Sequence, residues 1–216
     1  IMLVFFRKNL VWTEQPKLQL IRGLLLFCAN ILFFYSISVI SLAKALTLAF
    51  IAPLIVTILS PILLGEKVGF RRWAAVIIGF IGSLIVIRPG FVEINLASFA
   101  AIGTGILYAF YLIVTRKLHN SDNPLLTLLL TGVVGAIIGS LIMPSVWVQP
   151  SITEWYMMFA IGLFASIGHL LLILSLRYAD ASKLAPFGYF EIVTNIIIGY
   201  FFFNNFPDYW HFFGLF

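Results

Sequence analysis

The sequence predicts an all-helical, polytopic transmembrane bundle, and three observations carry that prediction. Of the 216 residues, 62% are hydrophobic and 10% charged, with a mean hydropathy of +1.10. A soluble domain carries roughly 25% charged and about 45–50% apolar residues, so the charge here is too sparse to cover a water-facing surface. The apolar residues are gathered into runs of about 20, the length at which a helix crosses roughly 30 Å of hydrocarbon at 1.5 Å per residue. Finally, the ten-residue alternation of a membrane barrel is absent, so backbone groups that lipid cannot satisfy must pair within helices.

Read from one charged or Pro/Gly break to the next, the chain offers seven complete spans. An apolar scrap, Ile1 to Phe6, is stopped by Arg7 and Lys8. Leu20 to Leu42 follows Lys17 and ends before Lys44, and Ala45 to Leu64 then runs up to Gly65-Glu66-Lys67. Trp73 to Ile87 lies between Arg71-Arg72 and Arg88-Pro89-Gly90, and Leu96 to Val114 stops before Arg116-Lys117. Pro124 to Met143 opens on proline, Trp155 to Leu176 is bounded by Glu154 and Arg177, and Ala181 to Phe203 ends at Asn204-Asn205. The chain starts on Ile and stops inside a further apolar stretch, Tyr209 to Phe216. It reads as a fragment of a longer membrane protein.

The charges carry a sidedness signal. Lys and Arg fall at the ends of the apolar runs, which points to membrane topology and away from nucleic acid as the partner of this basic chain (net charge +5). With alternate loops assigned to one side, eleven of the thirteen Lys and Arg fall together and only Lys44 and Arg88 oppose them. The loops at Arg7, Glu66, Lys117 and Asp180 are therefore expected in the cytoplasm, and those at Lys44, Pro89, Pro150 and Asn204 outside. The single cysteine, Cys28, excludes an internal disulfide framework and a cysteine-built metal site.

An internal repeat adds function to topology. A shift of 139 residues lays Gly23-Leu24 on Gly162-Leu163, Leu32 on Leu171, Ser36 on Ser175, Lys44 on Lys183 and Ile58 on Ile197. Span boundaries coincide across about fifty residues in this register, and the paired helices run in opposite senses. Inverted repeats let one half rock against the other and expose a midplane site to either side in turn, which is the physics of a gradient-driven carrier.

The residues themselves resemble a known family. Ala45-Leu-Thr-Leu-Ala-Phe-Ile-Ala-Pro53, Leu64-Gly-Glu-Lys67, Arg71-Arg-Trp73 and Gly79-Phe-Ile-Gly82 through Arg88-Pro-Gly90 are similar to the first repeat of the EamA family of the drug/metabolite transporter superfamily. Ala185-Pro-Phe-Gly-Tyr189, Phe206-Pro-Asp208 and Trp210 resemble its second half. The resemblance implies ten helices in two inverted five-helix repeats, truncated here at both ends. Residues 1–90 would hold the end of helix 2 to helix 5, and residues 91–216 helices 6 to 9 and the start of helix 10. It also implies transport of a small organic metabolite or drug across a bacterial cytoplasmic (inner) membrane. Asn204-Asn205 departs from the Gly-Glu that the family repeats after its ninth helix.

Ionisable groups inside the spans are the candidates for chemistry, because a charge at the bilayer centre costs at least about 2.5–3.5 kcal/mol. Glu191, about ten residues into its span, shares a small-and-polar stripe with Gly188, Asn195 and Gly199, and His169 shares one with Gly162 and Ser166. Both stripes are expected to face the bundle interior. Glu191 and His169 are candidates for proton coupling or substrate binding, histidine because its ordinary pKa of about 6.5 is near physiological pH. The repeat lays Asn30 on His169, at corresponding depth, and Asn30 shares a face with Gly23 and Ser41. Thr104, Tyr108, Tyr111 and Thr115 form one polar-aromatic face, with Tyr108 suited to a cavity wall; anchoring at the membrane interface accounts equally well for Tyr111 and Thr115. Pro53 is expected to bend its helix at mid-span, with Thr57 and Ser60 near the freed carbonyl. Ala75, Gly79 and Ser83 make a seam for close helix contact, within the chain or in a homodimer.

Together these predict that solute binds at the midplane between Asn30 and Pro53 of one repeat and His169, Tyr189, Glu191 and Asn195 of the other, with Tyr108 on the wall. Enzyme signatures are missing: Phe164 stands where a Gly-x-Ser-x-Gly elbow around Ser166 needs glycine, and neither a phosphate loop nor a carboxylate metal cluster is present. No cofactor is expected, and the partners are a small-molecule substrate and the lipid bilayer. The rival reading is a membrane scaffold or assembly subunit without flux, whose polar stripes only hold helices together.

Overall fold

The computed structural model describes residues 13–87 and 95–203. The expectations for Ile1 to Phe6, Arg7, Lys8, Arg88-Pro89-Gly90, Asn204-Asn205, Phe206 to Asp208 and Tyr209 to Phe216, Trp210 among them, lie outside the described residues. Every regular element in the described residues is helical, as the composition and run lengths require. In order they are α1 (Pro16–Val39), α2 (Leu42–Ala49), α3 (Ala52–Leu63), α4 (Phe70–Ile87), α5 (Leu96–Lys117), α6 (Pro124–Val146), α7 (Ile152–Tyr178), α8 (Ala181–Leu184), a 3-10 segment (Ala185–Tyr189) and α9 (Phe190–Phe203). Among the described residues, five stretches are long and apolar enough to cross a membrane: α1, α2 with α3 (Leu42–Leu63), α5, α6 and α7. The protein is an integral membrane protein.

Local chemistry sets the ends. The Asn123 side chain accepts the Leu125 N–H at 2.9 Å, and Pro124 fills the first helical position of α6, where no N–H is needed. Ser41 caps α2 through the Lys44 N–H. Ser41 therefore begins a new helix and does not continue the face of Asn30. The last turn of α5 carries Arg116 and Lys117, which complement the negative end of the helix dipole.

Two predicted spans are broken. The expected continuous helix from Ala45 to Leu64 is two helices that meet at Phe50-Ile51, and Pro53 sits in the first turn of α3 and not at a mid-helix bend. Proline has no N–H for the carbonyl one turn back, and its ring crowds that turn, so the chain restarts its helix there. The carbonyl left behind, that of Ala49, lies against Gly105 of α5, where an added Cβ would stand 2.6 Å from the oxygen. Beyond the break, Thr57 donates to the Pro53 carbonyl at 2.8 Å and Ser60 to the Val56 carbonyl at 2.7 Å, burying both hydroxyls without an orphan. The expected span from Ala181 to Phe203 is likewise interrupted: Pro186 opens a 3-10 segment, and α9 begins only at Phe190.

The chain divides into two compact units, residues 1–24 with 114–178, and residues 25–113 with 179–216. In the first, Gly23 of α1 packs on Val134 of α6, where a Cβ would come within 2.8 Å of the valine Cβ. Most of α7 is exposed and its burial is confined to the end near Ile173 and Leu176. The predicted inward stripe on α7 is accordingly unpacked: Gly162 has nothing within 4 Å, and the exposed Ser166 bonds back to the Gly162 carbonyl. In the second unit, Ala29, Ala45, Val56, Val76, Ala101 and Ala109 are buried small or branched side chains that let helices approach closely. The α4 seam is used within the chain at Gly79, which meets Tyr189, and Ser83 is buried, whereas Ala75 is exposed.

Candidate functional site

The second unit holds six of the seven predicted site residues, arranged around its two broken helices. Where α2 gives way to α3, the Tyr189 hydroxyl donates to the Phe50 carbonyl at 3.2 Å and the two rings tilt together at 5.8 Å. Gly188 lies on Pro53, whose Cγ would be 3.3 Å from an added Cβ. The end of the 3-10 segment is thus seated on the start of α3. Pro53 and Tyr189 are buried as parts of this junction.

Glu191 is in the first turn of α9 and not at the middle of a continuous helix. The shift matters electrostatically, since a carboxylate in a first turn is favoured by the positive end of the helix dipole. Asn195 follows one turn later, and both side chains are exposed. Tyr108 of α5 is within electrostatic reach of Glu191 and stacks on Tyr111, with ring centroids 5.6 Å apart at 21°. Tyr111 is 0% exposed and Thr115 is buried, so their role is internal packing and not interface anchoring. Asn30 is exposed beside the buried Ala29, whose carbonyl accepts from Thr104 at 3.4 Å. Among the described residues it makes no hydrogen bond to another candidate.

His169 belongs to the first unit, half-buried on α7 and within electrostatic reach of Arg22. Arg22, one of the eleven cations that share a side in the sequence, is 0% exposed inside α1 and not in a loop. Its Nε donates to the Thr115 hydroxyl at 2.8 Å, and its Nη1 to the Thr127 carbonyl at 3.0 Å and to the Thr131 hydroxyl. One turn earlier the buried Gln19 donates to Asp122 at 2.6 Å and to the Thr127 hydroxyl at 3.0 Å. The signal was present, because Arg22 lies two residues inside the predicted Leu20 to Leu42 span. A second missed group is Glu66, whose carboxylate accepts from the Ala181 N–H at 2.8 Å, the Ser182 N–H at 2.9 Å and the Ser182 hydroxyl at 2.7 Å. Gly65, at φ +68°, makes the left-handed turn that aims Glu66 at this helix start. Arg72 completes the cluster through Ser182 at 2.7 Å and Asp180 at 3.2 Å. Among the described residues no group of three or more His, Cys, Asp or Glu is placed to hold a metal.

Long apolar helices, two of them broken beside polar side chains, define the class: a polytopic helical membrane protein of transporter type. The chain belongs to the EamA-like transporter family, whose profile matches residues 1–88 and 95–216. It is similar to an S-adenosylmethionine uptake transporter of Rickettsia bellii, 29% identical over 205 residues that make up 95% of this chain and 70% of the relative. It is also similar to a riboflavin transporter of Vibrio cholerae, 28% identical over 165 residues, 76% of this chain and 55% of that one. A solved structure matches 99% of this chain and 78% of its own with a TM-score of 0.79; at 18% identity this likeness shows the fold alone. Family and relatives are transporters and not enzymes, in keeping with the missing catalytic signatures.

Proposed function

We propose that this chain forms part of a secondary carrier that moves a small organic metabolite or drug across a bacterial cytoplasmic membrane by alternating access, driven by a gradient. The observation that carries the reading is the Glu191 carboxyl in the first turn of α9, one turn before Asn195, inside an otherwise apolar helix. An ionisable group in such a segment is costly, and transporters retain it where substrate or a coupling ion engages it. Helices broken at membrane depth are tolerated where they are buried in protein or line a cavity, and both breaks here lie beside the candidate residues. The names of the relatives, which specify S-adenosylmethionine and riboflavin, support a small-molecule substrate.

In this reading Glu191, Asn195 and Tyr108 contact solute, Asn30 lies at the edge of the site, and Pro53 with Tyr189 sets its shape. His169 is a separate candidate for proton coupling in the first unit. The repeats span residues 1–90 and 91–216 in opposite topology, and the loops at Arg7, Glu66, Lys117 and Asp180 face the cytoplasm. The test is flux in proteoliposomes containing the full-length protein, measured across a pH series for wild type and Glu191→Gln. Loss of flux in the variant is expected. Wild-type rates at every pH would remove Glu191 from the mechanism, and alanine variants that melt earlier with no solute-dependent signal to lose would favour the scaffold reading.

A further inference from the structure

The charges around the start of α4 do not balance. Glu66 is taken up by the start of α8, since its carboxylate accepts the Ala181 and Ser182 N–H groups and the Ser182 hydroxyl. Asp180 is shared between Arg72 at 3.2 Å and Lys183 at 3.4 Å. Both carboxylates of this cluster thus have partners in their own unit. Lys67 and Arg71 have none: both are exposed, and among the described residues neither side chain makes an ion pair or a hydrogen bond. Successive helical residues point about 100° apart, so Arg72 turns to α8 while Arg71 is turned outward.

The position makes this surplus of positive charge unfavourable. Both arginines lie in the first turn of α4, at the positive end of the helix dipole, and that turn holds no acidic residue. Between Lys67 and Arg71 in the chain stands Phe70, 86% exposed, and the apolar run of α4 begins at Trp73. A bare aromatic ring at the edge of an apolar span is placed for the acyl-chain boundary, which sets the flanking basic groups at the level of the lipid phosphates.

We propose that Lys67, Phe70 and Arg71 form a docking surface for the headgroup of an anionic phospholipid. Lys67 and Arg71 meet the phosphate, two of whose oxygens the planar guanidinium can bond together, and the Phe70 ring lies against the first methylenes of the acyl chains. A zwitterionic headgroup brings its own ammonium and offsets the two cations less, so the surface discriminates by lipid charge. Arg72 and Lys183, already paired through Asp180, take no part.

The test titrates the full-length protein in detergent with dioctanoyl phosphatidylglycerol, dioctanoyl phosphatidylcholine and inorganic phosphate, with the melting temperature as readout. Phosphatidylglycerol is expected to stabilise at lower concentration than phosphatidylcholine, and inorganic phosphate to have no effect. Lys67→Gln and Arg71→Gln should each weaken phosphatidylglycerol binding about fivefold, the effect of one basic side chain at an anionic surface. Phe70→Ser should weaken both lipids alike, because the ring contributes apolar contact and not charge. Lys183→Gln, which removes an equal but paired charge, should leave the lipid preference as it is. Retention of phosphatidylglycerol in native mass spectrometry supplies a second readout for any variant whose melting shifts without lipid. Equal response to the two lipids, or an unchanged preference in the Lys67→Gln, Arg71→Gln double variant, would overturn the proposal. Stabilisation by inorganic phosphate that the same variants lose would assign the cations to a free anion and overturn the lipid. A loss in Lys183→Gln as large as in Arg71→Gln would show a diffuse effect of charge and overturn the surface.

Discussion

The Tyr189 ring occupies the space in which a side chain at Gly79 would stand: a Cβ there would lie 2.4 Å from its Cδ2 atom. The same tyrosine donates its hydroxyl to the Phe50 carbonyl, so one side chain ties α4 to the junction of α2 and α3. Gly79→Ala is expected to force the ring aside and to lower stability by about 1–3 kcal/mol, the usual cost of overpacking a tight contact. The check is a thermal melt of the purified variant, and pairing it with Tyr189→Leu, which removes the obstruction, should recover part of the loss.

A harsher clash is expected at Gly105. Its neighbour is the Ala49 carbonyl, backbone that cannot swing away as a side chain can. Gly105→Ala should therefore reduce the yield of folded protein more than Gly79→Ala does, as read by fluorescence-detected size exclusion. Equal yields would mean that the α2–α3 junction shifts freely.

Arg22 holds two threonine hydroxyls and a backbone carbonyl inside the first unit. Hydrogen bonds to a charged group contribute roughly 1.5–3 kcal/mol each, and orphaned partners add their own desolvation cost. Arg22→Met should accordingly be among the most destabilising substitutions in α1. Arg22→Lys should recover only part of the stability, because an ammonium lacks the planar fork that reaches Thr115 and Thr131 together. A melting temperature for lysine equal to wild type would show that charge alone suffices.

Glu66 binds the start of α8 through two N–H groups and the Ser182 hydroxyl. Glu66→Gln keeps one acceptor oxygen and loses the charge, so a cost of about 1–2 kcal/mol is expected, in the range of one charged hydrogen bond. Ser182→Ala in the same background should then add little, since both changes strip the same cluster. A double-mutant cycle on melting temperature measures the coupling, and strict additivity would count against a shared network.

Much of the fold was legible because bilayer crossing is a local property. Each run from Leu20 to Leu176 announced a helix through its own composition, and four of the observed candidate spans, α1, α5, α6 and α7, each match one predicted run to within a turn or so at either end. The site was legible only as a set of suspicious residues. Glu191 stood out because a carboxylate is costly in an apolar run, whereas Arg22 was absorbed into a charge count because it lies near a span's beginning. Gly105 carried no signal, and Gly79 showed only as part of a small-residue seam, since the partners they meet, Ala49 and Tyr189, lie far away in the chain.

The sequence by itself determined the class of protein, the helical content and the family, all of which rest on residue types in short windows. Tertiary structure decided where helices break, which polar groups are buried and what each one meets. Proline weakens a helix wherever it falls, but whether the chain bends or restarts depends on what satisfies the released carbonyls. At Phe50 that partner is Tyr189, 139 residues away. Hydrophobicity is a sum over neighbours in the chain, while hydrogen-bond satisfaction is a property of neighbours in space.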